Sequence, residues 1–441
     1  MAASFGSAAG YDCHMVLSQK IITAMPIMKP KLLLGLALVL SCGLFGCSTV
    51  KTNRSVEAWQ ASLPWIAFNG KYLLARNQLW DVASGKKIRQ FAVPPQMTIS
   101  NGVLHGYGSV EVVAFSPDGK QVLIVTARLI GPEMLAPGPV QLWDIASGHK
   151  LLEFTPDERI DNARFLPDGK RILTTSGGQK HPIQIWDTKT GQRLLALNEC
   201  PVSFLSGQIP SFSPDGRLLA TEGSAGTTGH YYRIVNVRNS FTGQRVCTIT
   251  DTTNSFFGMA LFSPDGKSIL TAESFYSRDI PSLTDRPGET TLWDAQTGRR
   301  IRDFGQINPR LFTPDGRKLI CTGKKCAIIL CDAKTGGEIR QMLLPGTGGE
   351  WVIDKIALSH DGTRLVAQYT TSGEMAAALW NMDTGELIKQ FGSEPAMYWE
   401  TVVGFAPEGE TFMTINKNRK PELFNGNTGQ PVKVLEDFQQ P

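Results

Sequence analysis

A short pattern repeats eight times between residues 60 and 440, and this repetition restricts the possible folds more than any other feature of the chain. In each copy, two apolar segments flank a tight turn, a third segment ends in Trp-Asp or a substitute, and a second tight turn leads to a fourth segment. An aromatic residue or Leu precedes the first turn with a period of about 46–50 residues, at Phe115, Phe165, Phe212, Phe262, Phe312, Leu358 and Phe405. Such a period is typical of propellers and solenoids, because one unit cannot bury its apolar face alone.

The first turn reads Ser-Pro-Asp-Gly in three copies, at residues 116–119, 213–216 and 263–266, and shortens to Asn69-Gly70 in the first copy. Pro presets φ for the second position of the turn, Asp bonds its own backbone, and Gly tolerates positive φ. The flanking residues are apolar and often β-branched, so the turn joins two antiparallel strands. We assign a structural role to the turn aspartates Asp118, Asp168, Asp215, Asp265 and Asp315.

The second turn contains a Gly in every copy, and five residues before this Gly most copies carry Trp. These tryptophans are also assigned a structural role: Trp80, Trp143, Trp186, Trp293 and Trp380. Cys331 and Phe424 take the position in two copies, and in the fourth copy Val235-Asn236 are expected to replace Trp-Asp. Four strands per copy predict an all-β, radial β-propeller of four-stranded blades, which exposes only short edges. Eight blades are favoured, with seven as the alternative because the first copy is short between Tyr72 and Trp80.

The motifs around Trp143 and Trp293, Leu-Trp-Asp-Ile-Ala-Ser-Gly and Leu-Trp-Asp-Ala-Gln-Thr-Gly, resemble those of WD40-like propellers. The Phe-Ser-Pro-Asp-Gly-Lys turns look like the bacterial variant of that family found in periplasmic propellers. The resemblance covers nearly the whole mature chain and implies a protein-interaction scaffold. The Gly-His dipeptide that opens a typical repeat is missing from its expected place, which argues against the buried His–Asp–Ser–Trp network of eukaryotic members.

The N-terminal residues predict a secretory leader that ends in a lipidation site. Lys29 and Lys31 precede an apolar run that is too short for a membrane-spanning helix and fits a signal peptide. The run ends in Leu44-Phe45-Gly46-Cys47-Ser48, which resembles the bacterial lipobox and makes Cys47 the predicted acylated residue; the alternative is an ordinary signal peptide with an incidental Cys. Met28 or Met25 would suit such a leader as the start of translation. Ser48, where Asp would favour inner-membrane retention, favours the outer membrane, with the protein facing the periplasm.

These features divide the chain into an extension plus signal peptide at 1–46, a tether at 47–59 and the propeller at 60–441. The formal net charge of +4 falls to about +2 once the leader is removed, because the leader contains three Lys and one Asp. So small a charge gives no reason to expect a nucleic-acid partner.

Five cysteines follow Cys47, and three of them, Cys321, Cys326 and Cys331, share one hairpin. Three states remain open for them: free buried thiols, a Cys321–Cys326 disulfide, or a metal site. No His lies near in the sequence to complete zinc-type spacing, and Cys331 occupies a Trp position, so a small buried apolar role is favoured. We therefore predict no cofactor and no metal.

In a propeller, both tight turns of a blade share one rim, and the long insertions of this chain fall on the opposite rim. Insertions at 128–139, 224–231 and 274–289 and the blade connections at 92–109 and 198–208 are expected to be loops. Loops on a rigid scaffold often carry function, and Tyr, Trp and Arg are enriched at binding hot spots. The candidate partner-binding residues are Tyr231, Tyr232, Arg278, Trp351, Tyr398, Trp399, Lys417, Arg419 and Lys420; the alternative is that the aromatics cover blade seams and the cations solvate turns.

No catalytic motif accompanies the repeats. The sequence lacks a Gly-x-Ser-x-Gly elbow, an appended α/β domain, a Glu-His metal motif and an EF-hand-like acidic run. The prediction is therefore a non-enzymatic, membrane-tethered scaffold that docks proteins in the bacterial envelope. The alternative is a propeller that binds or hydrolyses a small ligand, glycan or peptide at its channel. The sequence does not identify the partner.

Overall fold

The computed structural model describes residues 66–93, 98–100, 103–129, 135–176, 182–201, 211–227, 230–250, 256–274, 289–323, 327–344, 352–370, 375–391, 401–416, 420–435 and 438. Every named element in these ranges is a β-strand, and the strands form eight antiparallel sheets in sequential order. This confirms the predicted all-β propeller and its eight blades. Within the same ranges, no helix is long and apolar enough to cross a membrane.

The first four blades contain strands β1–β17. Blade 1 has β1 (Ile66–Phe68), β2 (Tyr72–Ala75), β3 (Gln78–Asp81) and β4 (Lys87–Gln90). Blade 2 has β5 (Thr98–Ser100), β6 (Val103–Phe115), β7 (Gln121–Leu129), β8 (Leu135–Asp144) and β9 (Lys150–Phe154). Blade 3 has β10 (Asn162–Phe165), β11 (Arg171–Thr175), β12 (Ile183–Asp187) and β13 (Arg193–Leu197). Blade 4 has β14 (Cys200–Pro201), β15 (Leu218–Thr227), β16 (His230–Asn239) and β17 (Arg245–Thr250).

The last four blades contain strands β18–β33. Blade 5 has β18 (Phe256–Phe262), β19 (Ser268–Ser274), β20 (Glu289–Asp294) and β21 (Arg300–Gln306). Blade 6 has β22 (Pro309–Phe312), β23 (Lys318–Thr322), β24 (Ile328–Asp332) and β25 (Glu338–Met342). Blade 7 has β26 (Val352–Leu358), β27 (Arg364–Thr370), β28 (Met375–Asn381) and β29 (Leu387–Phe391). Blade 8 has β30 (Thr401–Phe405), β31 (Thr411–Ile415), β32 (Pro421–Asn425) and β33 (Pro431–Val434).

The apolar core is divided among the seams between blades. Eight clusters of buried side chains lie among the described residues, one between each pair of consecutive blades. The division follows from strand geometry, because successive side chains point to opposite faces of a sheet and each face meets a different neighbour. In blade 7, for example, Val366 packs towards blade 8, whereas Leu365 and Ala367 pack towards blade 6.

Apolar packing also closes the ring between the last blade and the first. Trp80 and Leu73 of blade 1 share a cluster with Met413 and Leu423 of blade 8 and with Phe438 beyond the last strand. The Phe438 and Trp80 ring centroids are 5.3 Å apart. Among the described residues each blade consists of consecutive strands, and no strand is exchanged between blades 1 and 8.

Blade 2 departs from the predicted four strands and has five. The extra strand β5 pairs with the start of β6, through Thr98↔His105 to Ser100↔Val103. Most of the segment 92–109, expected to be a loop, is therefore β-hairpin. The insertions 128–139 and 224–231 are also largely strand, since pairing continues to Leu129↔Leu135 and Thr227↔His230. Extending an existing ladder satisfies the backbone groups that a loop would leave to solvent.

The fourth copy has a different register from the one expected. Leu219 pairs with Arg238, and Asn239 accepts the backbone N–H of Gly243, as Asp144 does for Gly148 in blade 2. Arg238-Asn239 therefore replace Trp-Asp, without extra residues, and the assignment to Val235-Asn236 was wrong. The apolar residues between Ile234 and Val237 resemble those that precede Trp-Asp in the other copies, but the geometry of the second turn sets the register.

The aromatic residues before the first turn occupy equivalent positions, since each pairs with the apolar residue three positions after the turn Gly. The pairs are Phe115↔Val122, Phe165↔Ile172, Phe212↔Leu219, Phe262↔Ile269 and Phe312↔Leu319. Their burial is less uniform than expected: Phe165 and Phe262 are buried, whereas Phe115, Phe212 and Phe312 are half-buried. Phe115, Phe165, Phe262 and Phe312 end the strand that precedes the first turn, whereas Phe212 lies in an isolated bridge with Leu219.

Candidate functional site

The two tight turns of each blade lie side by side on one rim of the propeller. In blade 2 the N–H of Ile145, in the second turn, donates to the carbonyl of Lys120, next to the first turn, at 2.9 Å. Equivalent bonds join the two turns in the other seven blades, from Val82 to Lys71 in blade 1 through Gly426 to Glu410 in blade 8. We call this surface the turn rim. As the sequence predicted, the connections between second and third strands lie at the other ends of the strands; we call that surface the loop rim.

The predicted turn aspartates use their carboxylates within their own turns. The Ser116 hydroxyl donates to Asp118 Oδ1 at 2.6 Å, and the Lys120 N–H donates to the same oxygen at 3.1 Å. The hydrogen bond from Ser116 holds the pKa of the Asp118 carboxyl below its usual value. Asp215, Asp265 and Asp315 repeat this arrangement with Ser213, Ser263 and Thr313. In blade 3 Leu166 replaces the Ser, and Asp168 instead pairs with Arg171 at 2.7 Å.

Neighbouring turns pack through Pro and Gly. A Cβ placed on Gly169 would lie 3.6 Å from Pro117 Cδ, and one on Gly316 would lie 3.4 Å from Pro264 Cδ. The same contact joins Gly216 to Pro167, Gly266 to Pro214, and Gly362 to Pro314. Each of these glycines has a φ between +65° and +75°, a region that other residues enter at a cost. The Pro of each of these turns therefore packs against the turn Gly of the following blade.

This packing is interrupted where the repeat itself departs from Ser-Pro-Asp-Gly. Blade 1 has the short Asn69-Gly70 turn, and blade 7 has His360 in place of Pro. A cavity of about 870 Å³ opens there, across blades 7, 8, 1 and 2. Phe68, Leu358 and Phe405 form part of its apolar lining, and Lys71, Lys120, Asp118, Asp144 and His360 are among its polar residues. An apolar concavity with a few polar groups is the usual form of a small-molecule site.

In each blade of a propeller, the strand that precedes the first turn lines the central channel; in blade 2 this strand is β6. The channel-lining strands of neighbouring blades contact each other, as β1 does with β6 and β30, and β6 with β10. A second cavity of about 340 Å³ is lined by residues of these four strands, mainly apolar, with Arg164 and Asn162 as polar members. Burial lowers the pKa of Arg164 to about 10, and its guanidinium carbon lies 5.3 Å from the centroid of the Phe212 ring. No carboxylate or histidine lines this cavity among the described residues.

The seam between blades 3 and 4 contains two arginines that sequence reasoning missed. Arg171 is 3% exposed and donates to the carbonyl of Gly216 at 3.0 Å and to Ser240 Oγ at 2.9 Å. Its guanidinium carbon also lies 3.7 Å from the centroid of the Phe241 ring. Blade 4 contributes only Leu219 to the fully buried members of this apolar cluster. Polar contacts therefore supplement a small apolar core.

Arg238, at the Trp position of blade 4, makes the second polar contact of this seam. Its Nε donates to Glu199 Oε2 at 2.7 Å, and its Nη1 donates to the carbonyl of Gly243 at 2.8 Å. Glu199 also accepts hydrogen bonds from Thr221 and Asn236. Burial by itself raises the pKa of Glu199, but these hydrogen bonds and the charge of Arg238 outweigh it and lower the pKa below its usual value. Glu199 lies in the short connection between blades 3 and 4, and no motif in the sequence there predicts its ion pair with Arg238.

The predicted partner-binding residues fall mostly outside the described residues. Arg278, Trp351, Tyr398, Trp399, Lys417 and Arg419 do so, as does the predicted acylation site Cys47. Tyr231 and Tyr232 lie on β16, opposite Gly226 and Ala225 of β15. Lys420 is half-buried next to β32, and its backbone closes the β31–β32 connection through bonds with Asn416.

The predicted structural tryptophans share one position at the seam with the preceding blade. The Trp186 and Trp293 Nε1 atoms donate to Thr174 and Thr271 at 2.9 and 2.8 Å. Trp80, Trp143 and Trp380 have no such partner among the described residues. The predicted cysteine trio is only partly described: Cys321 and Cys331 are free and buried, and Cys326 lies outside the described residues. No group of three metal-binding side chains occurs among the residues described.

Comparisons with known proteins agree with the repeat. Two proteins of Deinococcus radiodurans, each described as an uncharacterized WD repeat-containing protein, are similar to this chain. One is 32% identical over 96 residues, which cover 19% of this chain but only 36% of the relative. The other is 29% identical over 226 residues, covering 46% of this chain and 75% of the relative. No family model matches the chain.

A solved structure shows the fold alone. The crystal structure of the computationally designed protein Ika8 superposes with a TM-score of 0.54 at 15% sequence identity. The superposition covers 83% of this chain and 96% of the designed one. The chain therefore has the fold of an eight-bladed propeller and is similar in sequence to WD repeat-containing proteins.

Proposed function

We propose that this protein is a membrane-tethered WD40-like propeller that docks partner proteins in the bacterial envelope through its loop rim. The observation that supports this most strongly is the contrast between the two rims. On the turn rim, short turns bond within themselves and to each other in every blade. On the loop rim, strand pairing among the described residues continues further in blades 2 and 4 than in the other blades.

Strand register gives the size of these extensions. Pairing in blade 4 continues for eight residues after Leu219, to Thr227, but in blade 3 for only three residues after Ile172, to Thr175. At 3.3–3.4 Å per residue, the additional pairs project the blade 4 hairpin by roughly 17 Å. The hairpin of blade 2 continues to Leu129, which is seven residues after Val122.

The composition of the blade 4 hairpin suits protein recognition. Residues 223–233 read Gly-Ser-Ala-Gly-Thr-Thr-Gly-His-Tyr-Tyr-Arg. Tyr and Arg supply contact area and charge, whereas Ser and Gly adapt to a partner surface, a mixture also used by binding loops of antibodies. The lining of the channel cavity, which is apolar apart from Arg164 and Asn162, favours docking over the convergent carboxylates or histidines of a hydrolytic centre.

The membrane tether rests on the leader and on Cys47. Replacing Cys47 by Ala is expected to abolish incorporation of radiolabelled fatty acid and to leave the unprocessed precursor, because acylation and maturation both need this thiol. Cys42→Ala, in the same apolar segment, is the matched control and should mature normally. An acylated, correctly processed Cys47→Ala protein would refute the tether.

Partner docking is tested by charge reversal on the two rims. Full-length protein is cross-linked in membranes, solubilised in detergent and captured, and the co-purifying proteins are quantified. Changing Lys417, Arg419 and Lys420 to Glu should weaken capture without unfolding, since rim charges act mainly on association. Changing Lys120, Lys170 and Lys267 to Glu on the turn rim is the control and should leave capture unchanged. If only the control set removes the partners, the assignment of rims is inverted.

A second candidate, binding of a small ligand, is favoured by the turn-rim cavity of about 870 Å³. His360→Pro restores the Ser-Pro-Asp-Gly sequence of blade 7, removes a polar side chain from the lining and should change the shape of this cavity. If compounds that raise the melting temperature of the wild-type protein raise that of this variant equally, the cavity is not their site.

A further inference from the structure

The tryptophan position has a recurrent partner across the sheet. In blades 3 and 5, Trp186 and Trp293 of the third strand bond to Thr174 and Thr271 of the second strand. Each Thr lies two residues after the residue directly opposite the Trp, because Trp186 pairs with Ile172 and Trp293 with Ile269. The two side chains therefore meet diagonally, on the face turned towards the preceding blade.

Blade 6 has cysteines at both positions of this pair. Cys331 takes the Trp position and pairs with Leu319, so the diagonal Thr position is Cys321. The two thiols are 1% and 2% exposed, share one apolar cluster and are hydrogen-bonding partners. An apolar residue at the Trp position would be enough to fill this part of the seam. Blade 6 instead has the same oxidisable residue at both positions that are Trp and Thr in blades 3 and 5.

We propose that Cys321 and Cys331 are an oxidisable pair that forms a disulfide between β23 and β24, and that this cross-link takes the place of the Trp–Thr contact seen in blades 3 and 5. It differs from the Cys321–Cys326 disulfide and from the metal site considered for this hairpin. Cys247 provides an internal comparison: its thiol donates to the carbonyl of Ala295 at 3.4 Å, and no described cysteine lies beside it. Cys247 should remain a free thiol.

The oxidation requires an external disulfide, such as oxidised glutathione, as the two-electron acceptor. The Cys331 thiolate attacks one sulfur of this disulfide, forming a mixed disulfide and releasing one thiol. Cys321 then loses its proton and attacks the Cys331 sulfur, which releases the second thiol. The two protons and two electrons of the pair end on the two released thiols. Once β23 and β24 have paired, the hydrogen bond from Cys321 lowers the pKa of the Cys331 thiol, whereas the contact with Cys331 and burial raise the pKa of Cys321, which favours Cys331 as the first nucleophile.

Because both thiols are buried, the cross-link should form while the chain folds. The test is to unfold the full-length protein in urea with reductant and refold it in a glutathione redox buffer. Free thiols are then alkylated and the protein is digested with trypsin. Cleavage after Lys318, Lys324, Lys325 and Lys334 gives the peptides 319–324, with Cys321, and 326–334, with Cys326 and Cys331.

The two possible linkages share these peptides, so a substitution is needed to tell them apart. We expect the linked peptides, lighter by two hydrogens than their sum, in the wild type and in Cys326→Ser, and their absence in Cys331→Ala. Reduction of the refolded Cys326→Ser protein should lower its urea midpoint. Loss of the linkage in Cys326→Ser would assign the bond to Cys326, and complete alkylation of Cys321 and Cys331 in the folded Cys326→Ser protein would overturn the proposal.

Should Cys331→Ala fail to fold, Cys326→Ser still decides between these outcomes. The experiment uses purified protein and a defined oxidant, so its result does not depend on export or lipidation. A negative result here and a failure of the membrane tether are therefore distinguishable.

Discussion

The bond between Trp293 and Thr271 offers a direct measure of how the blades are stabilised. Thr271 is 2% exposed and Trp293 is 6% exposed, and the Nε1–Oγ1 distance is 2.8 Å. Thr271→Val keeps the shape of the side chain but removes the acceptor, so a buried indole N–H loses its partner. Leaving such a donor unsatisfied costs about 1–3 kcal/mol. We expect the free energy of unfolding to fall by this amount, measured by urea unfolding followed by far-UV circular dichroism.

A double-mutant cycle separates this hydrogen bond from the other effects of the substitution. Trp293→Phe removes the donor, so Thr271→Val in that background should cost at least about 1 kcal/mol less than in the wild type. Thr174→Val in blade 3 provides an independent repeat, because its Oγ1 accepts from Trp186 in the same geometry. If Thr271→Val changes stability by less than about 0.5 kcal/mol, or costs the same with Phe at 293, the hydrogen bond does not stabilise the blade.

Two further predictions concern the seams. Glu199→Gln should destabilise the protein by about 1–3 kcal/mol at pH 7, since it weakens hydrogen bonds to a charged group. Because the folded-state pKa of Glu199 is lowered, its contribution to stability is present above the ordinary carboxyl pKa and is lost as the pH falls through the folded-state pKa. The variant and the wild type should therefore converge in stability as the solution is acidified below the ordinary carboxyl pKa. A difference unchanged by pH would contradict the ion pair. Phe438→Ala should lower the free energy of unfolding by about 3–5 kcal/mol, because it removes the contact with Trp80. The control Val432→Ala, which truncates an exposed side chain of β33, should change it by less than about 0.5 kcal/mol in the same urea assay. Equal effects of the two substitutions would show that Phe438 does not help to close the ring.

The sequence by itself determined the repeat and the class of fold, and it favoured eight blades over seven. Turn chemistry is local: Ser116, Pro117, Asp118 and Gly119 form their turn mainly from their own hydrogen bonds and φ preferences, so eight turns of each kind could be counted without a structure. Both turns could also be placed on one rim from the sequence. In an antiparallel blade the chain reverses at every connection, so the first and third connections lie at the same end of the strands.

Only the tertiary structure decided the contacts that join one blade to the next. The partners Arg238 and Glu199 are 39 residues apart in the sequence, and Arg171 reaches Ser240 across 69 residues, so neither pair leaves a local pattern. The partial burial of Phe115 depends on the neighbouring blade in the same way, whereas the register of blade 4 follows from its own turn. The Cys321–Cys331 contact could not be predicted for a related reason. Spacing along the chain suggested Cys326 as the partner of Cys321, whereas the pairing of β23 with β24 brings Cys331 next to it. Strand register, and not sequence separation, determines which side chains meet.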